Sequence, residues 1–233
     1  MYNWENILAT GSITLLFFTV ILLLINYKEG RYSFLALAFY LFQILFINII
    51  SKGLIPTPPK VETYLVYCHN LLDAPLMLLC LIYFTQTNKG KRILFYLAGG
   101  FILFEFIVFL FTGLHDNLLT IIIGPGLFLN TAFSFYFFFK HVKSSFTKRK
   151  DMGKAFISGG LAFAYMCFNF MYIVDYVMRN PNHDDIMKIY HLTYIIASLT
   201  ISIGLLIITR EKRKKPVIEP KVKQEDKNAF QYL

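Results

Sequence analysis

Apolar residues in this chain arrive in seven blocks, each about 20 residues long, the length one helix needs to cross the hydrocarbon layer of a bilayer. The blocks run at about 7–26, 32–50, 63–85, 93–112, 117–139, 155–178 and 186–209. Ser51-Lys52-Gly53 and the prolines Pro56, Pro58 and Pro59 close the second block, where glycine and proline stop a helix. Gly124-Pro125-Gly126 interrupts the fifth, and a kink is expected there. Composition agrees with the blocks. Of 233 residues, 56% are hydrophobic and only 16% charged, and the mean hydropathy is +0.54. A soluble domain of this size rarely carries so much apolar mass. The expected fold is an all-α membrane protein, a seven-transmembrane-helix bundle at 1–209 followed by a basic tail at 210–233. These crossings and short loops leave no room for a soluble catalytic domain.

Charge position sets the expected orientation. All but four of the 23 lysines and arginines fall after the first, third and fifth blocks or in the tail; the exceptions are Lys52, Lys60, Arg179 and Lys188. Positive charge marks the cytoplasmic side, so the N-terminus is expected outside and the tail inside a cell membrane. The formal charge of +9 would suggest nucleic acid in a soluble chain. Here it is assigned to anionic lipid headgroups, with the basic loop at 140–154 or the tail as a docking place for a cytoplasmic partner. No nucleic-acid partner is expected, and an oligomer is compatible with the sequence. The first block has Glu5 and no basic residue before it, and it lacks a small-residue cleavage site, so it is expected to remain as a helix. Cys68, Cys80 and Cys167 all lie in apolar blocks and are expected to be buried packing residues.

Ionisable side chains at membrane depth are costly, and each is a site hypothesis. They are His69 and Asp73 in the third block, Glu105 in the fourth and His191 in the seventh. Asp175 and Arg179, four apart at the end of the sixth, suit an interfacial pair. His69 and Asp73 are also four apart, share a helix face, and could lower each other's burial cost through a hydrogen bond. Asn70, Asn130, Thr131 and Asn169, with Tyr165, Tyr172, Tyr190 and Tyr194, add polar groups to the interior. One account is a hydrogen-bond network that only binds helices together. The other is a polar-floored pocket in the outer half of the bundle, where the third, sixth and seventh helices meet.

The third block reads Tyr67-Cys-His-Asn-Leu-Leu-Asp-Ala-Pro75-Leu-Met-Leu-Leu. It resembles the third helix of microbial rhodopsins, in which Arg-Tyr-x-Asp-Trp leads into Thr-x-Pro-Leu-Leu-Leu. Tyr67 and Pro75 fall on that family's tyrosine and proline. The sixth block, Tyr165-Met-Cys-Phe168-Asn169-Phe-Met-Tyr172, is similar in spacing to Trp-x-x-Tyr-Pro-x-x-Trp, whose rings enclose retinal. The seventh, from Ser198 through Thr200 and Gly204, resembles Ser-x-Lys followed four residues later by glycine. The resemblance implies a rhodopsin-like bundle, yet the retinal-bearing lysine falls on Thr200, whose hydroxyl forms no Schiff base. The helix-3 counter-ion falls on His69, the tryptophan beside it on Asn70, the arginine on Val66 and the helix-7 carboxylate on Ile196.

What the resemblance implies is therefore a seven-helix ligand-binding or sensory module without Schiff-base retinal, holding a non-covalent apolar ligand with one polar end. Its ligand-binding residues would be His69, Asn70, Asp73, Tyr165, Phe168, Tyr172, Tyr194 and Thr200. No catalytic residue and no metal is assigned in that reading. Two alternatives remain open. One is a membrane-embedded metal-dependent lipid hydrolase with zinc on His69, Asp73 and His191. The other is a proton-coupled transporter using Asp73 and Glu105.

Overall fold

The computed structural model describes residues 4–30, 32–113, 116–148, 151–178 and 183–213. Seven long helices are α1 (Trp4–Ile25), α2 (Tyr32–Ser51), α3 (Pro59–Leu81), α4 (Asn88–Thr112), α5 (Asp116–Lys148), α6 (Met152–Tyr172) and α7 (His183–Arg213). A 3₁₀ turn, Ile82–Phe84, prolongs α3, and a π-helical turn, Ile173–Val177, prolongs α6. All seven are long and apolar enough to cross a membrane, which makes this a multi-pass membrane protein by length and composition. Each helix packs on the next, α3 also touches α5, and α7 returns to α1, closing the ring.

Local chemistry sets several helix ends. Pro59 opens α3, where its missing N–H would have had no partner anyway. Thr87 caps α4, its hydroxyl accepting the Gly90 N–H at 3.2 Å. Gly113 ends α4 at φ +67°, in the left-handed region that suits glycine. The fifth helix is not interrupted at Gly124-Pro125-Gly126; Pro125 sits inside a continuous α5. The two glycines make room for neighbours rather than ending the helix. A Cβ at Gly124 would lie 2.9 Å from the Tyr172 hydroxyl, and one at Gly126 would lie 3.1 Å from the Ala74 Cβ. Tyr172 in turn donates to the Thr120 carbonyl at 2.7 Å, an extra partner for backbone near the proline.

Three further expectations change. The basic stretch 140–154 is not mainly a loop, because α5 runs on to Lys148 and α6 begins at Met152. The charged turns simply continue past the apolar span, and Lys140 lays its ammonium 5.8 Å from the Phe137 ring centre. The seventh helix likewise continues to Arg213, beyond the expected boundary at 209, while 214–233 of the tail lies outside the described residues, as does Arg179. All three cysteines are free, but only Cys80 is buried; Cys68 faces outward and Cys167 is half-buried.

The tightest seam is α6 on α7. A Cβ at Gly204 would come within 2.7 Å of the Gly153 carbonyl, and one at Gly160 within 3.1 Å of the Ala197 carbonyl. Small residues at these points let two backbones touch, which is how helices associate where water supplies no hydrophobic drive. The α1–α7 contact adds hydroxyl pairs. The Thr19 and Ser202 side chains lie 2.9 Å apart, and Thr209 donates to Asn26 Oδ1 at 2.8 Å. At the other extreme, α4 is the least buried span.

Candidate functional site

The interior site is built around Asp73, midway along α3. Pro75 stands two residues on, inside the helix, and Ala74 and Pro75 are buried against neighbouring helices. Tyr165 reaches across from α6, its hydroxyl donating to Asp73 Oδ1 at 2.7 Å. The Tyr40 hydroxyl from α2 interacts with both Asp73 and Tyr165, and the Tyr194 hydroxyl from α7 interacts with Tyr40. Tyr165 and Tyr40 thus reach the carboxylate from two neighbouring helices, and α7 joins through Tyr194 and Tyr40. Tyr40, Tyr165 and Tyr194 are themselves buried, while Asp73 keeps part of its surface accessible. Hydroxyl donors aimed at a carboxylate reduce the cost of holding it away from water.

Aromatic rings wall this centre. Phe168 packs edge-on against Tyr165 with centroids 5.8 Å apart and lies 5.2 Å from Tyr194. Tyr190 meets Tyr194 edge-on at 4.7 Å. Such tilted arrangements put the positive ring edge on a neighbouring face and fix ring orientation. Tyr190 also interacts with Asn48 of α2, which extends the polar path toward the α1 N-terminal end of the bundle.

The expected site residues separate into two groups. Asp73, Tyr165, Phe168 and Tyr194 come together. His69 joins from one turn earlier on α3, with its ring 5.4 Å from Tyr40. It makes no hydrogen bond to Asp73 among the described residues; its Nδ1 is buried without a partner. Asn70 spends its amide on the Val66 carbonyl of its own helix, at 2.9 Å. Tyr172 turns to α5 instead, bonding Thr120 and stacking on Tyr176 at 5.4 Å. Thr200 lies apart from Asp73. Its hydroxyl returns to the Ile196 carbonyl at 2.7 Å, and it lines a groove of about 410 Å³ with Phe138, Phe156 and Gly159 of α5 and α6. The inward positions of α7 are Tyr194, Ala197, Ser198 and Ile201, so rotation of the helix carries Thr200 outward.

The remaining polar residues mark other joints. Asn169 donates to Thr131 Oγ1 at 2.6 Å, tying α6 to α5. His191 faces α1, with Nδ1 3.2 Å from the Ser12 hydroxyl, and not the Asp73 centre. Among the described residues no three His, Cys, Asp or Glu side chains stand close enough to hold a metal, so His69, Asp73 and His191 do not form a zinc set. Glu105 is buried on α4 at 6% exposure, and its Oε1 has no hydrogen-bond partner. Asn130 and Ser134, one turn apart on α5, are fully buried with side-chain polar atoms also unpartnered.

Sequence reasoning missed Tyr40 and His141. Tyr40 sits among apolar neighbours, and a tyrosine there carries no separate signal. His141 was placed beyond the fifth helix; with α5 extended, it is fully buried and its Nε2 lies 3.2 Å from the Phe84 carbonyl. Comparison with known protein families, with curated proteins and with solved structures gives no match.

Proposed function

We propose that the chain is a rhodopsin-like seven-helix protein of the cell membrane that binds a ligand without a covalent link and acts as a sensory or signalling module. The observation that carries this reading is the convergence of Tyr165 and Tyr40, from two helices, on the partly accessible Asp73 carboxylate, with Tyr194 of a third helix joining through Tyr40. A polar centre walled by Phe168, Tyr190 and Tyr194 suits an apolar molecule with one polar end. Because α2, α3, α6 and α7 each supply a wall, a ligand that favoured one arrangement of these helices would shift the whole bundle. The signal would leave through the basic surface formed by the ends of α5, α6 and α7, facing the cytoplasm if the N-terminus lies outside.

Retinal as a Schiff base is not part of this function. What supports this reading is that the seventh helix contains no lysine from Ile189 to Glu211. The test is recovery of small molecules from purified wild type, His69→Ala and Tyr165→Ala, with thermal unfolding in parallel. The expected result is a compound retained by wild type and reduced in both variants while the bundles stay folded. Equal recovery from all three would remove the site from this role.

A further inference from the structure

At the opposite end of the bundle from the α1 N-terminus, the helices leave a second cavity. It occupies about 420 Å³ and is lined by Gly30, Ser33, Leu79, Ile82, Tyr83, Lys91 and other residues of α2, α3 and α4. Its floor is the end of α3, where Leu79 and Ile82 are apolar. Its flanks are Tyr32 at the start of α2 and Phe95 near the start of α4, both strongly exposed. The Ser33 hydroxyl is already used, donating to the Leu79 carbonyl at 3.0 Å and pinning α2 to α3 at the back of the cleft. The cleft therefore has an apolar floor, aromatic sides that include the amphipathic Tyr32 and Tyr83 of the kind found at membrane–water interfaces, and one cation at its rim.

That cation, Lys91, has no carboxylate within 4.0 Å among the described residues. Its surroundings are mainly basic. Lys28, Lys89, Lys91 and Arg92 lie in the segments beside the cleft against Glu29, while Asp151 and Glu211 act on Tyr83 at its inner wall. A cleft that is apolar below and positive at the rim complements a molecule with an acyl chain and an anionic headgroup. We infer that the α2–α3–α4 cleft is a binding site for one anionic phospholipid, its headgroup on Lys91 and its chain along Leu79, Ile82 and Phe95. Tyr83 forms the inner wall and also carries the Lys154 ammonium 5.3 Å from its ring centre, so the bound lipid lies one side chain away from the start of α6. The inference does not depend on which leaflet this end faces, nor on the ligand at Asp73.

The test is lipid competition on the purified protein, with phosphatidylglycerol and phosphatidylcholine of matched chains, counted by native mass spectrometry. Wild type is expected to retain one phosphatidylglycerol with about five-fold preference, the value of one basic contact near a membrane surface. Lys91→Glu should abolish the preference and Lys91→Arg should keep it. Lys89→Glu removes equal charge from a residue outside the cavity lining and should leave most of the preference in place. No preference in wild type, an unchanged preference in Lys91→Glu, or equal losses in Lys91→Glu and Lys89→Glu would each overturn the assignment.

Discussion

The α6–α7 seam and α4 solve the same problem, holding a helix in a membrane, with opposite economies. At the seam, Gly153, Gly160 and Gly204 bring two backbones together, and Tyr165 projects from α6 onto Asp73 while Tyr194 of α7 meets Tyr40. Along α4, Gly99 and Gly100 face open space, many aromatic and aliphatic side chains point outward while Leu94, Ala98 and Phe101 turn in, and the buried carboxylate Glu105 has an unpartnered oxygen. Glycine thus has two meanings in one chain, close approach in the first region and no contact in the second. Buried carboxylates have two as well: Asp73 is held by donors from neighbouring helices, and Glu105 has one oxygen that no donor reaches among the described residues. The seam is where sequence specifies geometry. The α4 side is specified more loosely, through the narrow inward face of Leu94, Ala98, Phe101 and Glu105.

The largest effect should separate the glycines. Gly204→Leu is expected to cost about 3 kcal/mol, because its side chain would enter the Gly153 carbonyl and Ile157. Gly100→Leu should stay within about 0.5 kcal/mol. Unfolding in mixed micelles measures both; equal losses would erase the contrast between the regions.

The carboxylates come next. Tyr165→Phe removes the hydroxyl 2.7 Å from Asp73 Oδ1 and is expected to destabilise by about 2 kcal/mol. Glu105→Met removes a buried carboxylate with an unpartnered oxygen while keeping volume, and should leave stability unchanged or raise it by about 1 kcal/mol. Marked destabilisation by Glu105→Met in the same assay would show that Glu105 has a structural partner after all.

The smallest effect lies outside both regions, at Asp151 between α5 and α6. Burial opposes its charge, but Lys154 at 3.2 Å and the Ser144 hydroxyl at 3.1 Å outweigh that and hold its pKa below the ordinary 3.8. A carboxylate with a depressed pKa contributes stability above its unfolded pKa and loses it as pH falls through the folded value. Asp151→Asn should therefore cost about 0.5 kcal/mol at neutral pH, and that gap should begin to close only below about pH 4. Asparagine also tolerates the left-handed backbone at this position, φ 66°, so the comparison isolates the charge. A gap that persisted unchanged in acid would trace to something other than the ion pair.

The seven helices were legible because block length is a direct physical demand of the bilayer. Their ends were less so. Lys143, Ser144, Ser145 and Thr147 read as a loop by composition, yet α5 carries them to Lys148, and that misplacement hid His141. The cluster at Asp73 was legible where a charge made it conspicuous, and Tyr165 and Phe168, which the resemblance suggested, pack beside it. It was illegible where only rotation decides. Thr200 and Ser198 are two residues apart on one helix, but Ser198 is buried and Thr200 opens onto the outer groove. Tyr40 lacked any local signal; only the packing of α2 on α3 brings it to the carboxylate.

The central claim is that the interior site holds its ligand without a covalent bond. Its most direct test is a visible absorption spectrum of the protein purified after expression with added retinal, before and after hydroxylamine. The account predicts no strong visible band, with any retinal present extracted intact by organic solvent alone. A strong band that bleaches with hydroxylamine would mean a Schiff base, and would contradict it.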